Sequence, residues 1–143
     1  MSGMNEVQQL RFDEAIKKKP FLTLLVNRLL AFRGSIVVCW NEDQCTSEGF
    51  VACLMGLGRA TAGKSARLRL KGMERSHCHS NAIDLARKYP KRYQREIGYA
   101  LSRDMWVPHS WIWDIRDSRI VETTCPRDAY FGVTLKVSEA END

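Results

Sequence analysis

The sequence predicts an α+β domain, N-terminal helices packed on a C-terminal antiparallel sheet. Three observations carry this. Two apolar-periodic segments with helix punctuation fill residues 5–32, a third comes after residue 77, and from residue 98 onward short β-prone segments alternate with turn residues. At 143 residues the chain matches one ordinary domain and can bury about two-thirds of its unfolded surface. Residues 1–143 are therefore read as a single domain, with a helical, basic part (1–72) and a core part (76–137).

Residues 5–19 carry Val7, Leu10, Ala15 and Ile16 at near-helical spacing, and the KKKP sequence then sets positive charge at the helix C-terminus with Pro20 as a stop. Residues 21–32 repeat Leu22, Leu25, Val26 and Leu29, a helix buried on several sides. After the Arg33-Gly34 break, SIVVCW (35–40) reads as a strand, whereas residues 50–57 fit a buried helix or a strand equally. Residues 56–72 read as a flexible basic connection, with a strand-like alternation at 66–70. Ala82, Leu85, Ala86 and Tyr89 fall at i, i+3, i+4 and i+7 before Pro90, an amphipathic helix that Cys78 begins on its core side. Strands are expected near 98–101, 108–115, 119–124 and 130–137, with a frayed polar end at 138–143.

Composition narrows the function. A charged fraction of 27% with 44% hydrophobic residues excludes a disordered or fibrous chain. The stretch 21–32 is too short to cross a bilayer, and residues 1–12 lack the apolar core and cleavage site of a secretory signal, so no membrane association and a cytoplasmic location are expected. Five cysteines without CxxC spacing argue against a disulfide framework. The net charge of +5 is concentrated: residues 59–95 hold 11 basic and 2 acidic side chains. Were Arg59, Lys64, Arg67, Arg69, Lys71, Arg87, Lys88, Lys91, Arg92 and Arg95 to share a face, with Tyr89 and Tyr93 as stacking platforms, the chain would bind nucleic acid weakly as a non-catalytic module.

GRATAGKS (58–65) satisfies the GxxxxGK[ST] pattern of a nucleotide-binding phosphate loop. That loop needs a strand before it and a helix after it, and the alternation at 66–70 has the wrong period for a helix, so no nucleotide cofactor is expected. His77, His79 and His109, with Cys78 or Cys125, supply enough ligands for zinc, but in no common zinc spacing, and no metal is expected.

The chemistry concentrates elsewhere. A thiol at a helix start is stabilised as thiolate by the dipole and unpaired N–H groups, which marks Cys78 as a reactive cysteine. In PHSWIWDIRDSRIVETT, His109, Trp111, Trp113 and Ile115 share the face read as buried. A tight turn near 115–118 sets Glu122 on that face, beside His109 directly or diagonally. A buried carboxylate orients an imidazole and supports its protonated form, which completes a nucleophile, base and orienter set.

The same residues carry a resemblance. The order of cysteine at a helix start, histidine on a later strand and an acidic residue on the next, with the strings CHSN, GYALS, PHSW, IVETT and YFG, resembles a small bacterial family allied to the papain-like and transglutaminase-like cysteine hydrolases. Over residues 76–135 the resemblance implies a papain-like core and thiol chemistry on a peptide, amide or ester substrate, as in a peptidase, amidase or deamidase. Cys78 matches the nucleophile, His109 the base and Glu122 the orienter. No glutamine closely precedes Cys78, so Asn81 and backbone N–H groups are the local candidates for the oxyanion donor.

Overall fold

The computed structural model describes residues 6–38, 44–62, 69–74 and 77–135. Helices α1 (Glu6–Lys18) and α2 (Leu22–Phe32) lead into strand β1 (Ile36–Val37). A 3-10 turn (Gln44–Thr46) precedes α3 (Glu48–Leu57), β2 (Arg59–Ala62), β3 (Arg69–Leu70) and α4 (Cys78–Lys88). Strands β4 (Tyr93–Ser102), β5 (Met105–Asp114), β6 (Arg119–Glu122) and β7 (Ala129–Leu135) complete it. The result is a mixed α+β structure around one curled, mostly antiparallel sheet ordered β2-β7-β4-β5-β6-β3, with β1 added alongside β5.

The ambiguous segment at 50–57 is helical. Ser47, in extended conformation, caps α3 by accepting from the Phe50 N–H at 3.3 Å, and Val51 and Leu54 turn inward. The sheet recruits more of the N-terminal half than expected. β1 and β3 pair in parallel with β5 and β6, and β2 pairs antiparallel with β7, Arg59 opposite Gly132. The first residues of GRATAGKS are thus a ladder strand rather than a flexible loop. They come after a helix, the reverse of the phosphate-loop order. Lys64, Ser65 and positions 66–68 of the expected strand lie outside the described residues, as do Cys39, Trp40 and residues 136–143.

The expected division of β5 into one buried and one exposed face does not hold. Ser110, Ile112 and Asp114 are as buried as His109 and Trp111, while Ile115 is exposed. The reason is position: β5 lies inside the sheet with cover on both sides, and such strands lose the polar alternation of a half-exposed one. One face carries Ile97, Tyr99, Leu101, Trp106 and Phe131 against Leu22, Leu25 and Leu29 of α2 and Leu54 of α3; farther along, Ile112 and Val121 pack on Ala82, Leu85 and Ala86 of α4. The other face gathers Ala100, Trp111, Ile120 and Tyr130. Each fully buried large apolar side chain contributes about 1.5–3 kcal/mol, so α2 and α4 are held by their stripes.

Two features lock the frame around the site. At the β5–β6 turn, Asp114 is buried and accepts from the N–H groups of Arg116 and Asp117 at 3.0 and 3.2 Å, and Arg92 clamps it with contacts at 2.9 to 3.2 Å. Across the sheet, Gly132 allows the Trp111 indole to lie on the backbone of β7: a Cβ there would fall 2.6 Å from the ring.

Candidate active site

β4 pairs with β5 along its whole length, so β1 and β6 must share the opposite edge. They do not meet. β1 reaches Trp106, whose carbonyl accepts from the Val38 N–H at 2.9 Å, and β6 begins its ladder at Ile112. Residues 107–111 are left without a neighbouring strand on that side among the described residues. Backbone groups on a strand point alternately to its two edges, so Pro108 and Ser110, of the same parity as Trp106, face the gap. Pro108 has no N–H to offer a partner, which suits it to an open edge.

Cys78, the first residue of α4, docks at this gap. The His109 ring and the Ser110 N–H both act on its thiol, and each holds its pKa down. This geometry differs from a thiol and imidazole meeting across one sheet face. α4 covers the Ile112 face while His109 belongs by register to the Trp111 face, so the two come together at the edge of β5. The side chain after the thiol strengthens the docking: His79 Nδ1 and Ser110 Oγ are hydrogen-bonded.

His109 is 2% exposed and Glu122 is fully buried. The ladder puts Ile112 opposite Val121, so Glu122 falls beside Trp111 and diagonal to His109. Nε2 of His109 donates to Glu122 Oε1 and Oε2 at 2.8 and 3.0 Å, which leaves Nδ1 for Cys78. The carboxylate also accepts from Tyr130 Oη at 2.9 Å and from the N–H and hydroxyl of Thr124, both at 3.1 Å. Trp111 stacks on the imidazole at 5.9 Å between centroids and 26° between planes.

These contacts set the electrostatics. Burial is the largest single influence on the Cys78 thiol and pushes its pKa up. The hydrogen bond and charge of His109, with the Ser110 N–H, together outweigh it and hold the thiol below its ordinary value. Burial likewise disfavours the imidazolium, but Cys78 and Glu122 raise His109 above the usual histidine value. Glu122 is lowered despite burial, by His109, Thr124 and Tyr130, while burial and the neighbouring carboxylate push the Tyr130 phenol up. The shifts favour a thiolate–imidazolium pair over two neutral groups.

Of the four expected site residues, three come together and Asn81 does not join them. Asn81 Nδ2 donates to the Glu74 carbonyl at 2.8 Å and the Thr123 hydroxyl at 3.4 Å, so both amide protons tie α4 to neighbouring segments. Of the expected local candidates for an oxyanion donor, the backbone N–H groups are left. The first i to i−4 bond of the α4 entry runs from Asn81 N–H to His77 O, so the Cys78 N–H lies ahead of the helical ladder. Ser110, Thr124 and Tyr130 are site residues that sequence reasoning missed; strand parity could have suggested Tyr130, but only the ladder sets it beside Glu122.

Among the described residues no group of three His, Cys, Asp or Glu side chains is gathered to hold a metal ion, and His77 is an exposed residue paired with Glu74 at 3.4 Å. The described basic residues do not all share one face. Arg95 is interior, Arg59 pairs with Glu96 at 2.8 Å on the Trp113 side of the sheet, Arg92 serves Asp114 and Asp117, and Arg87 and Lys88 belong to α4 on the other side. Tyr93 is buried and cannot serve in stacking, and exposed Tyr89 lies between Lys71 and Lys88. Lys64, Arg67 and the Arg69 side chain lie outside the described residues. No helix among the described residues is long and apolar enough to cross a membrane. Comparison with known proteins gave no matching family model, curated protein or solved structure.

Proposed function

We propose that the chain is a cysteine-dependent hydrolase or acyltransferase acting on an amide or ester, with a core of the papain-like or transglutaminase-like kind. The observation that carries the reading is the buried His109–Glu122 hydrogen bond behind a partly accessible thiol, Cys78, whose electrostatics are coupled to the same imidazole. Core packing alone does not require a buried carboxylate with five polar contacts behind a histidine whose other nitrogen serves a thiol.

In this mechanism the Cys78 thiolate attacks the substrate carbonyl carbon, and the carbonyl π electrons move onto oxygen. The Cys78 N–H at the start of α4 donates to that oxygen. The imidazolium then gives its Nδ1 proton to the leaving amine or alcohol as the C–N or C–O bond breaks, which yields a thioester. Water or an acceptor amine, deprotonated by the neutral imidazole, attacks the thioester and releases the thiol. Glu122 holds the tautomer with Nε2–H throughout.

The test is the pH profile of alkylation by iodoacetamide, read at each cysteine by peptide mass spectrometry. Cys53 and Cys125 are exposed and Cys45 is buried, so accessibility alone ranks Cys78 behind two others. A nucleophile with a lowered pKa reverses that order at about pH 6–7, where an ordinary thiol of pKa about 8.5 is mostly protonated. His109→Ala moves the Cys78 profile towards the ordinary value. Cys78 slower than Cys53 and Cys125 across this range would end the proposal.

A further inference from the structure

Arg95 is 3% exposed, and its Nε has no hydrogen-bond partner among the described residues. This chain otherwise pairs its half-buried arginine: Arg92, three residues earlier, takes two carboxylates. An interior guanidinium without a carboxylate is costly, because its hydration is lost and nothing replaces it. The position of Arg95 gives that cost a reason. It lies on β4 opposite Ile112, on the face that carries Ser110, and Ser110 pairs with Ile97, the next residue of that face along β4. Arg95 is therefore the diagonal neighbour of Ser110, whose hydroxyl meets His79 beside the nucleophile and whose N–H helps to lower the Cys78 pKa.

The electrostatics agree with this placement. Burial lowers the Arg95 pKa, and the Cys45 and Cys78 sulfurs oppose it, so the guanidinium senses the nucleophile. Of the other charges around the centre, Glu122 faces His109, and Arg127, which acts on His109 and Tyr130, donates its Nε–H to the Cys125 carbonyl at 3.1 Å.

We propose that Arg95 is the recognition residue for a carboxylate on the substrate, carried close to the carbonyl that Cys78 attacks. This rests on the cysteine hydrolase reading and narrows its substrates to acidic ones, such as a carboxylate side chain or terminus beside the scissile bond. The planar fork of a guanidinium matches a carboxylate through paired N–H donors. A single cation also favours a singly charged group over a phosphate dianion, which would bring excess negative charge beside the thiolate.

Iodoacetate and iodoacetamide test this, since both alkylate a thiolate by forming S–C as C–I breaks and iodide leaves, and only the first carries a carboxylate. The readout is the ratio of the two rates at Cys78 against the same ratio at exposed Cys53. The expected Cys78 ratio is about tenfold or more higher, from the raised local concentration of an anion at a buried cation. It is largely kept in Arg95→Lys and lost in Arg95→Gln; both reagents need the same thiolate, so the ratio is independent of any change that the variant makes in the thiolate fraction. Because imidazolium also attracts an anion, wild type is measured again at about pH 10, where imidazole is neutral and a guanidinium stays charged. A preference that survives there and is kept in Arg127→Gln supports Arg95 even if Arg95→Gln fails to fold, whereas one that Arg127→Gln abolishes overturns the inference. A preference that vanishes there, or that Arg95→Gln retains, overturns the inference. Cys78 alkylated by both reagents without preference overturns it while leaving the nucleophile intact; Cys78 inert to both overturns the enzyme reading and this inference together.

Discussion

Replacing Glu122 by Gln keeps the side-chain shape and removes one charge, and the surrounding contacts make the consequence calculable. The carboxylate accepts from four donors: His109 Nε2, Tyr130 Oη, and the Thr124 N–H and hydroxyl. The two hydroxyls can rotate to accept, but the Thr124 N–H cannot. With the amide oxygen towards His109, the new NH2 group opposes the Thr124 N–H, and one buried donor is stranded at about 1–3 kcal/mol. In the opposite orientation the imidazole must change tautomer, and Nδ1–H then faces Cys78 and can no longer accept its proton. Weakening the bond to the charged group adds about 1 kcal/mol. A loss of about 2–4 kcal/mol near neutral pH is expected, or on the order of 10 °C in Tm for a chain of this size. Urea and thermal unfolding measure the loss, and 15N chemical shifts of His109 report the tautomer. The pH dependence has a definite sign. Glu122 is lowered in the folded state, so the unfolded chain binds more protons between the two pKa values, and wild-type stability falls as pH drops below about 4.3 through the folded value. The Gln variant lacks that contribution. His109, raised in the folded state, contributes below about 6.5 and loses that contribution as pH rises through its folded pKa, which the variant lowers. A Gln variant within about 0.5 kcal/mol of wild type, with His109 titration unchanged, would refute Glu122 as the orienter.

Asn81→Ala removes two amide donations that bind α4 to its surroundings, so a loss of about 1–3 kcal/mol in urea unfolding is expected, while the Cys78 alkylation profile keeps its shape. Gly132→Ala forces a methyl group into the Trp111 ring, costs about 1–3 kcal/mol by the same assay, and slows Cys78 alkylation because Trp111 stacks on His109. Asp114→Asn removes a carboxylate whose pKa is lowered, against the upward push of burial, by Arg92 and the turn N–H groups. Its unfolding midpoint should change less than that of wild type as pH falls below about 4, since the wild-type contribution is lost on protonation in that window.

Local pattern makes much of the molecule legible from sequence. Leu22, Leu25, Val26 and Leu29 announce α2, and Ala82, Leu85 and Ala86 announce α4, because helix periodicity is a property of consecutive residues. The pairing of His109 with Glu122 is also accessible, since a tight hairpin has few registers and parity alone sets which side chains can meet. A cysteine at a helix start is visible for the same reason. Features that depend on long-range contact are not visible. β2 is hidden because its edge is satisfied by β7, about 70 residues away, and no local signal in Arg59–Ala62 records that. Among the described residues β1 and β6 leave part of the β5 edge open, and the start of α4, which packs on one side of the sheet, reaches that edge at Ser110, next to an imidazole that belongs to the other side. Asn81 shows the limit in reverse: its residue type suits an oxyanion donor, yet Glu74 and Thr123 claim its amide. Arg95 reads in the sequence as one of a run of surface charges, and burial makes it an interior cation. The sequence by itself determined the helix stripes, the hairpin parity and the helix-start thiol, because each depends on neighbours a few residues apart. Tertiary structure decided which polar groups remain free to react or bind, because satisfaction and burial of a side chain depend on segments distant in the chain.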